Sequence, residues 1–169
     1  MAGRLRVNLV PGWSDFSHEN PDGPPTFLRD ASPSPGPLQI SCAWHTSGDE
    51  PNPNDRDLIG LTEGAGASFE MPKLLESYSG ACAIGRFGTA VFRCKDAARV
   101  QAWYLSNGRD FINVTHICSE DVEPTEIREA QKIAEDLRIE PADEPSMQRS
   151  KAAGMLSRIG KWFGGGCGR

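Results

Sequence analysis

Four short apolar runs in quick succession constrain this chain more than any other feature: Ala81–Ile84, Thr89–Cys94, Val100–Leu105 and Phe111–Cys118. Runs of this length, bounded by polar breaks, read as β-strands. Their connections are too short for the crossover that parallel neighbours need, so the strands form an antiparallel meander. Gly85-Arg86-Phe87-Gly88 and Ser106-Asn107-Gly108 are predicted hairpin turns, the Asn-Gly step because both residues tolerate positive φ. Lys95-Asp96-Ala97-Ala98 is the remaining connection.

A helix is predicted next. Pro124 suits a first helical position, and Glu120, Asp121, Glu123 and Glu126 put negative charge at the positive end of the helix dipole. Ile127, Ala130, Ile133, Ala134 and Leu137 recur at helical spacing and form the expected buried stripe. Glu126, Arg128, Glu129, Lys132, Glu135 and Asp136 are expected to face water, and Pro141 to end the helix.

Upstream, Leu5, Val7 and Leu9 alternate with polar residues in a strand over Leu5–Val10, stopped by Pro11-Gly12. Thr26–Arg29 is a short strand within a Pro- and Ser-rich stretch. Leu38–Trp44 is a further strand, with Leu38, Ile40, Cys42 and Trp44 on one face. Ser47–Asp55 is a polar loop. Asp57–Ser68 is a candidate helix, weakened by Gly60, Gly64 and Gly66 at about 1 kcal/mol each relative to Ala. The expected fold class is α+β, an antiparallel β-sheet covered by one or two helices in an α/β sandwich. Residues 1–140 form the expected domain, 141–146 a Pro-rich linker and 147–169 a C-terminal tail.

The tail differs chemically from the rest. From Ser146 onward there is no Asp or Glu, but there are five cations, Arg149, Lys151, Arg158, Lys161 and Arg169. Removing those five from 18 basic residues leaves 13 against 23 acidic ones, so the remainder carries −10. Wound as a helix, 149–163 places Ala152, Met155, Leu156, Ile159, Trp162 and Phe163 on one side and Lys151, Arg158 and Lys161 on the other. That pattern suits a contact with a protein groove, an anionic membrane surface or the chain's own acidic body. The expected partner- or membrane-binding residues are Lys151, Met155, Leu156, Arg158, Ile159, Lys161, Trp162 and Phe163.

Reaction chemistry has little support. An acidic body argues against nucleic acid as a partner. Five cysteines without an export signal read as reduced thiols, four of them expected to behave as small buried hydrophobes beside strands. Cys167 is third from the end, out of register for prenylation. His116 and Cys118 lie two apart on a strand and point the same way, yet a tetrahedral metal site needs about four ligands. Cys42 and His45 lack supporting spacing too. Gly60–Ser68 lacks the Lys-Ser/Thr of a phosphate loop, and Asp49–Asp57 is broken by prolines where a calcium loop needs glycine. No catalytic residue, metal or cofactor is expected. Nor does an apolar run approach the ~20 residues that span a bilayer, so the expectation is a soluble, cytoplasmic protein.

The order of elements resembles the PsbP-like α/β sandwiches, in which a strand runs into a Pro-Gly-Trp turn as Val7–Trp13 does here. Further strands, an antiparallel run and a closing amphipathic helix follow over residues 5–139. The resemblance implies a mostly non-enzymatic binding scaffold; members include photosystem subunits, transport factors, lipoproteins and bacterial secretion chaperones. It transfers no functional residue. The expected function is a binding protein (an adaptor, a secretion-associated chaperone or a toxin-neutralising protein) acting by protein–protein contact. The alternative is a small enzyme using a sheet-face Cys/His pair.

Overall fold

The structure is a computed structural model that describes residues 4–30, 32, 35–66, 73–94 and 98–140. The linker at 141–146 and the tail at 147–169, with all eight expected contact residues from Lys151 to Phe163, lie outside the described residues.

Seven antiparallel strands form the main sheet in the order β2-β3-β4-β8-β7-β6-β5, with β2 Trp13–Asp15, β3 Thr26–Arg29, β4 Leu38–Ala43, β5 Lys73–Ala81, β6 Arg86–Arg93, β7 Ala98–Ser106 and β8 Phe111–Ser119. Strands β5 to β8 make the expected meander. One helix lies on each face: α1, Asp55–Gly66, between β4 and β5, and α2, Pro124–Glu135, after β8. Two short strands, β1 Arg4–Arg6 and β9 Arg138–Glu140, pair antiparallel outside this sheet. The α+β sandwich expected from the sequence is what the chain forms.

Pairing register fixes which side chains meet. One cross-strand row runs Thr89, Trp103, Val114, Ile40; the next runs Val91, Gln101, His116, Leu38, Phe27. Side chains in these rows share the face toward α2 because alternate strand residues point the same way. Trp103, Leu105, Ile112, Val114, Leu38 and Ile40 pack there with Ala130, Ile133, Ala134 and Leu137. The opposite face holds a smaller cluster of Ala90, Phe92, Val100 and Ala102. There α1 rides low over β6: the bare Cα of Gly88 lies against the helix backbone at Leu58 and Ile59, where a Cβ would collide.

Helix α1 starts two residues earlier than expected. Asn54 caps it, its Oδ1 accepting from the Arg56 N–H at 2.9 Å and the Asp57 N–H at 3.1 Å. The Asp57 carboxylate accepts in return from the Asn54 N–H at 3.0 Å. This reciprocal cap satisfies three otherwise orphaned donors and offsets part of the glycine penalty.

Several expectations are corrected. Ala81–Ile84 is not a strand; Cys82–Gly85 is the hairpin turn, closed by Cys82 and Gly85 exchanging backbone bonds at 3.1 Å. The strand precedes it as Lys73–Ala81, and Arg86–Gly88, expected as a turn, opens β6. At the next hairpin only Gly108 takes a positive φ, 93°. Asn107 instead uses its side-chain oxygen to accept from the Arg109 and Asp110 N–H groups. The N-terminal strand is confined to Arg4–Arg6, since its partner β9 has only three residues. Helix α2 ends at Glu135 rather than near Pro141, and Leu137 reaches the core from the turn that follows. Among the four described cysteines only Cys118 is buried; Cys82 and Cys94 are half-buried, and Cys42 is exposed because β4 is uncovered from Ser41 onward.

Candidate functional site

The α2 face contains a histidine–glutamate pair that no solvent reaches. Strand β8 alternates strictly, so Ile112, Val114, His116 and Cys118 all point inward. Three of these are apolar or weakly polar, and the imidazole needs a partner. Glu126 supplies it from the first turn of α2, with His116 Nε2 3.3 Å from Glu126 Oε1 and both side chains 0% exposed. The expected solvent-facing role of Glu126 is therefore wrong. The buried row along α2 begins at Glu126 and continues through Ala130, Ile133 and Ala134, while Ile127 is only half-buried.

A third group closes the arrangement. The Gly36 N–H, between Pro35 and Pro37, donates to the same Glu126 Oε1 at 2.8 Å. A Cβ at residue 36 would lie 2.7 Å from His116 Nε2 and 2.7 Å from Cys118 Cβ, so only glycine lets the segment sit this close. Trp13 tilts over the imidazole with ring centroids 6.2 Å apart. Its indole Nε1 donates to Glu129 at 3.1 Å, and Arg29 binds Glu129 at 2.9 Å and Glu123 at 3.0 Å. Strands β2 and β3 are thereby tied to α2.

Electrostatics in this cluster are governed by burial. Desolvation pushes the His116 pKa below its ordinary value; Glu126 opposes that shift and Arg99 adds to it. Burial raises the Cys118 thiol pKa, partly countered by Arg99. The thiol's contact is the Arg99 carbonyl, 3.7 Å away. A protonated thiol closed to solvent is a poor nucleophile. Two atoms of the pair, His116 Nδ1 and Glu126 Oε2, are buried with no hydrogen-bond partner among the described residues.

The remaining sequence candidates stay apart. His45 Nε2 lies 3.2 Å from the Gly48 carbonyl, and Cys42 is an exposed thiol. Among the described residues no group of three or more His, Cys, Asp or Glu is disposed to hold a metal. An open cleft of about 290 Å³ at one end of the sheet is lined by Asn52, Pro53, Asn54, Gly85, Arg86, Ser106, Asn107 and Gly108. Arg86 is already engaged there with Asp55 at 3.2 Å. No helix of the described residues is long and apolar enough to cross a membrane.

Sequence reasoning missed Glu126, Gly36, Arg99 and the Trp13–Arg29–Glu129 network. A histidine in an otherwise apolar alternating row was the available signal, since a buried imidazole demands a partner.

No protein-family model matches the chain, and no curated protein matches it. Several solved structures are similar, two of them as follows. The solution structure of cyanobacterial PsbP (CyanoP) from Synechocystis sp. PCC 6803 superposes with a TM-score of 0.51 at 12% identity, over 82% of this chain and 92% of that one. A crystal structure from Bacteroides thetaiotaomicron VPI-5482 gives 0.49 at 14% identity, over 83% of this chain and 46% of that one. At such identities the first likeness speaks to architecture. Together with the seven-stranded antiparallel sheet and a helix on each face, it shows that this chain has a PsbP-like α/β sandwich fold.

Proposed function

We propose that this protein is a non-enzymatic binding protein, acting by protein–protein contact with residues 147–169 as a basic amphipathic contact segment. The observation that carries the reading is that imidazole, thiol and carboxylate do converge, at His116, Cys118 and Glu126, but in a place closed to substrate. A reacting group must be reachable by what it reacts with, and this one is roofed by Gly36 and α2. The same geometry weighs against the alternative of an enzyme using a sheet-face Cys/His pair. The charge division along the sequence supports the tail's role. Five cations without one acid follow a stretch carrying −10, and Trp162 and Phe163 add the aromatic area that anchors contacts.

Adaptor, secretion chaperone and toxin-neutralising protein are finer versions of this reading, and each acts through a protein partner. Affinity purification of the full chain beside a version ending at Glu144 tests it. The full chain should recover a partner that the shorter one loses. Equal recovery by both would remove the tail from the function. Flotation of the full chain, but not the shorter one, with phosphatidylserine-containing vesicles would replace the protein partner with an anionic membrane surface.

A further inference from the structure

We infer that the His116–Glu126 pair is an acid-sensitive latch, holding the Pro35-Gly36-Pro37 segment and the start of α2 against the sheet at neutral pH and releasing them as pH falls. The geometry offers a partner to one ring proton and none to a second. With Nε2 facing the carboxylate, the neutral ring carries its proton there and donates it to Oε1, which also receives the Gly36 N–H. A further proton on the ring must go to His116 Nδ1. The ring nitrogen is buried without a partner, and so is the free carboxylate oxygen Oε2. A protonated Nδ1 would be a donor with no acceptor in a place water does not reach, which costs the full desolvation of that group. Lifting the segment off exposes both groups, and an exposed imidazole takes up its proton near pH 6.5.

The Glu126 carboxylate and a hydrogen bond to the Gly36 backbone favour the protonated ring, but burial outweighs them. From β7 the Arg99 guanidinium adds positive charge, and its Nη2 is committed to Gln101 at 2.9 Å. The Gln101 amide in turn donates to Thr89 at 3.3 Å. From β8 comes the Cys118 thiol, turned to the Arg99 carbonyl. Glu129 on α2 is the nearest further acid along the helix, and Arg29 and Trp13 occupy it. From β4 and β2 the imidazole meets Leu38 and the Trp13 ring. The sign follows from the depressed histidine. The open form binds a proton that the closed form refuses, so closure is complete above about pH 6.5 and weakens below it. The opening constant rises by up to tenfold per pH unit.

Amide hydrogen exchange on the full chain between pH 7 and 5, corrected for intrinsic exchange, reads this directly. Protection at the Gly36 N–H should fall by up to tenfold per unit below about pH 6, while Val114, in the centre of β8, holds its protection. In His116→Gln the Gly36 slope should flatten. Constant Gly36 protection across this range would overturn the latch, and so would Gly36 and Val114 losing protection in parallel, since that describes global unfolding. The wild-type comparison decides the matter even if the variant fails to fold.

Discussion

The two faces of the sheet are closed by opposite means. On the α2 face large side chains fill the gap, with Trp103, Leu105, Ile112 and Ile133 fully buried. On the α1 face the gap itself is removed, since Gly88 and the small side chains of Ala90 and Ala102 let the helix backbone settle onto the strands. Filling seals a wide area, whereas close approach seals only what lies beneath the helix. The α2 face can therefore enclose an imidazole–carboxylate pair. On the α1 side Leu61 remains 41% exposed, and the outer strand β5 leaves Leu74 at 44% and Leu75 at 46%.

The contrast breaks most readily at Glu126. Replacing it by Ala removes one partner of a buried pair and leaves both His116 and the Gly36 N–H without an acceptor. A loss of about 3–5 kcal/mol is expected in urea unfolding. A loss below ~1 kcal/mol would mean that the α2 face is open to water. Leu58→Ala on α1 tests the other face. Leu58 is fully buried directly over Gly88, and its truncation should cost about 2–5 kcal/mol. A value at the lower end is expected, because a helix lying on small residues can settle into the space. If Leu58→Ala exceeds Glu126→Ala, the ranking of the two faces is reversed. The smallest effect is expected for Leu74→Ser and Leu75→Ser, each within about 0.5 kcal/mol of wild type because both are exposed. A larger loss at either residue would place it in a packed interface.

Legibility in the sequence followed the same division. Strand β8 is legible because it is buried on a strict period of two, β7 because it is a short apolar run buried on both faces, and β3 matches its expected span residue for residue. Strand β5 is not, because Leu74-Leu75-Glu76 breaks the alternation at a bulge and Ser, Tyr, Ser and Gly follow. The predicted hairpin turn consequently lies three residues late. Helix α2 was legible as a helix and misread in orientation at one end. Its apolar stripe was assigned from Ile127, while the inward position at the first turn belongs to a glutamate. Period alone cannot show that a charged residue faces inward; that needs the histidine across the gap, fixed by register between β8 and its neighbours. The role of Gly36 was equally hidden, because a glycine between two prolines reads as loop punctuation until the atoms around it are placed.

The proposed contact function requires that the thiol–imidazole–carboxylate cluster stay shut. Native alkylation with iodoacetamide at pH 7.5, mapped cysteine by cysteine and followed by partner recovery, tests that claim most directly. Cys42 should modify quickly and Cys118 slowly by at least two orders of magnitude, with partner recovery unchanged by the modification at Cys42. Rapid alkylation of Cys118, accompanied by loss of partner recovery, would contradict the account and make the cluster a working site.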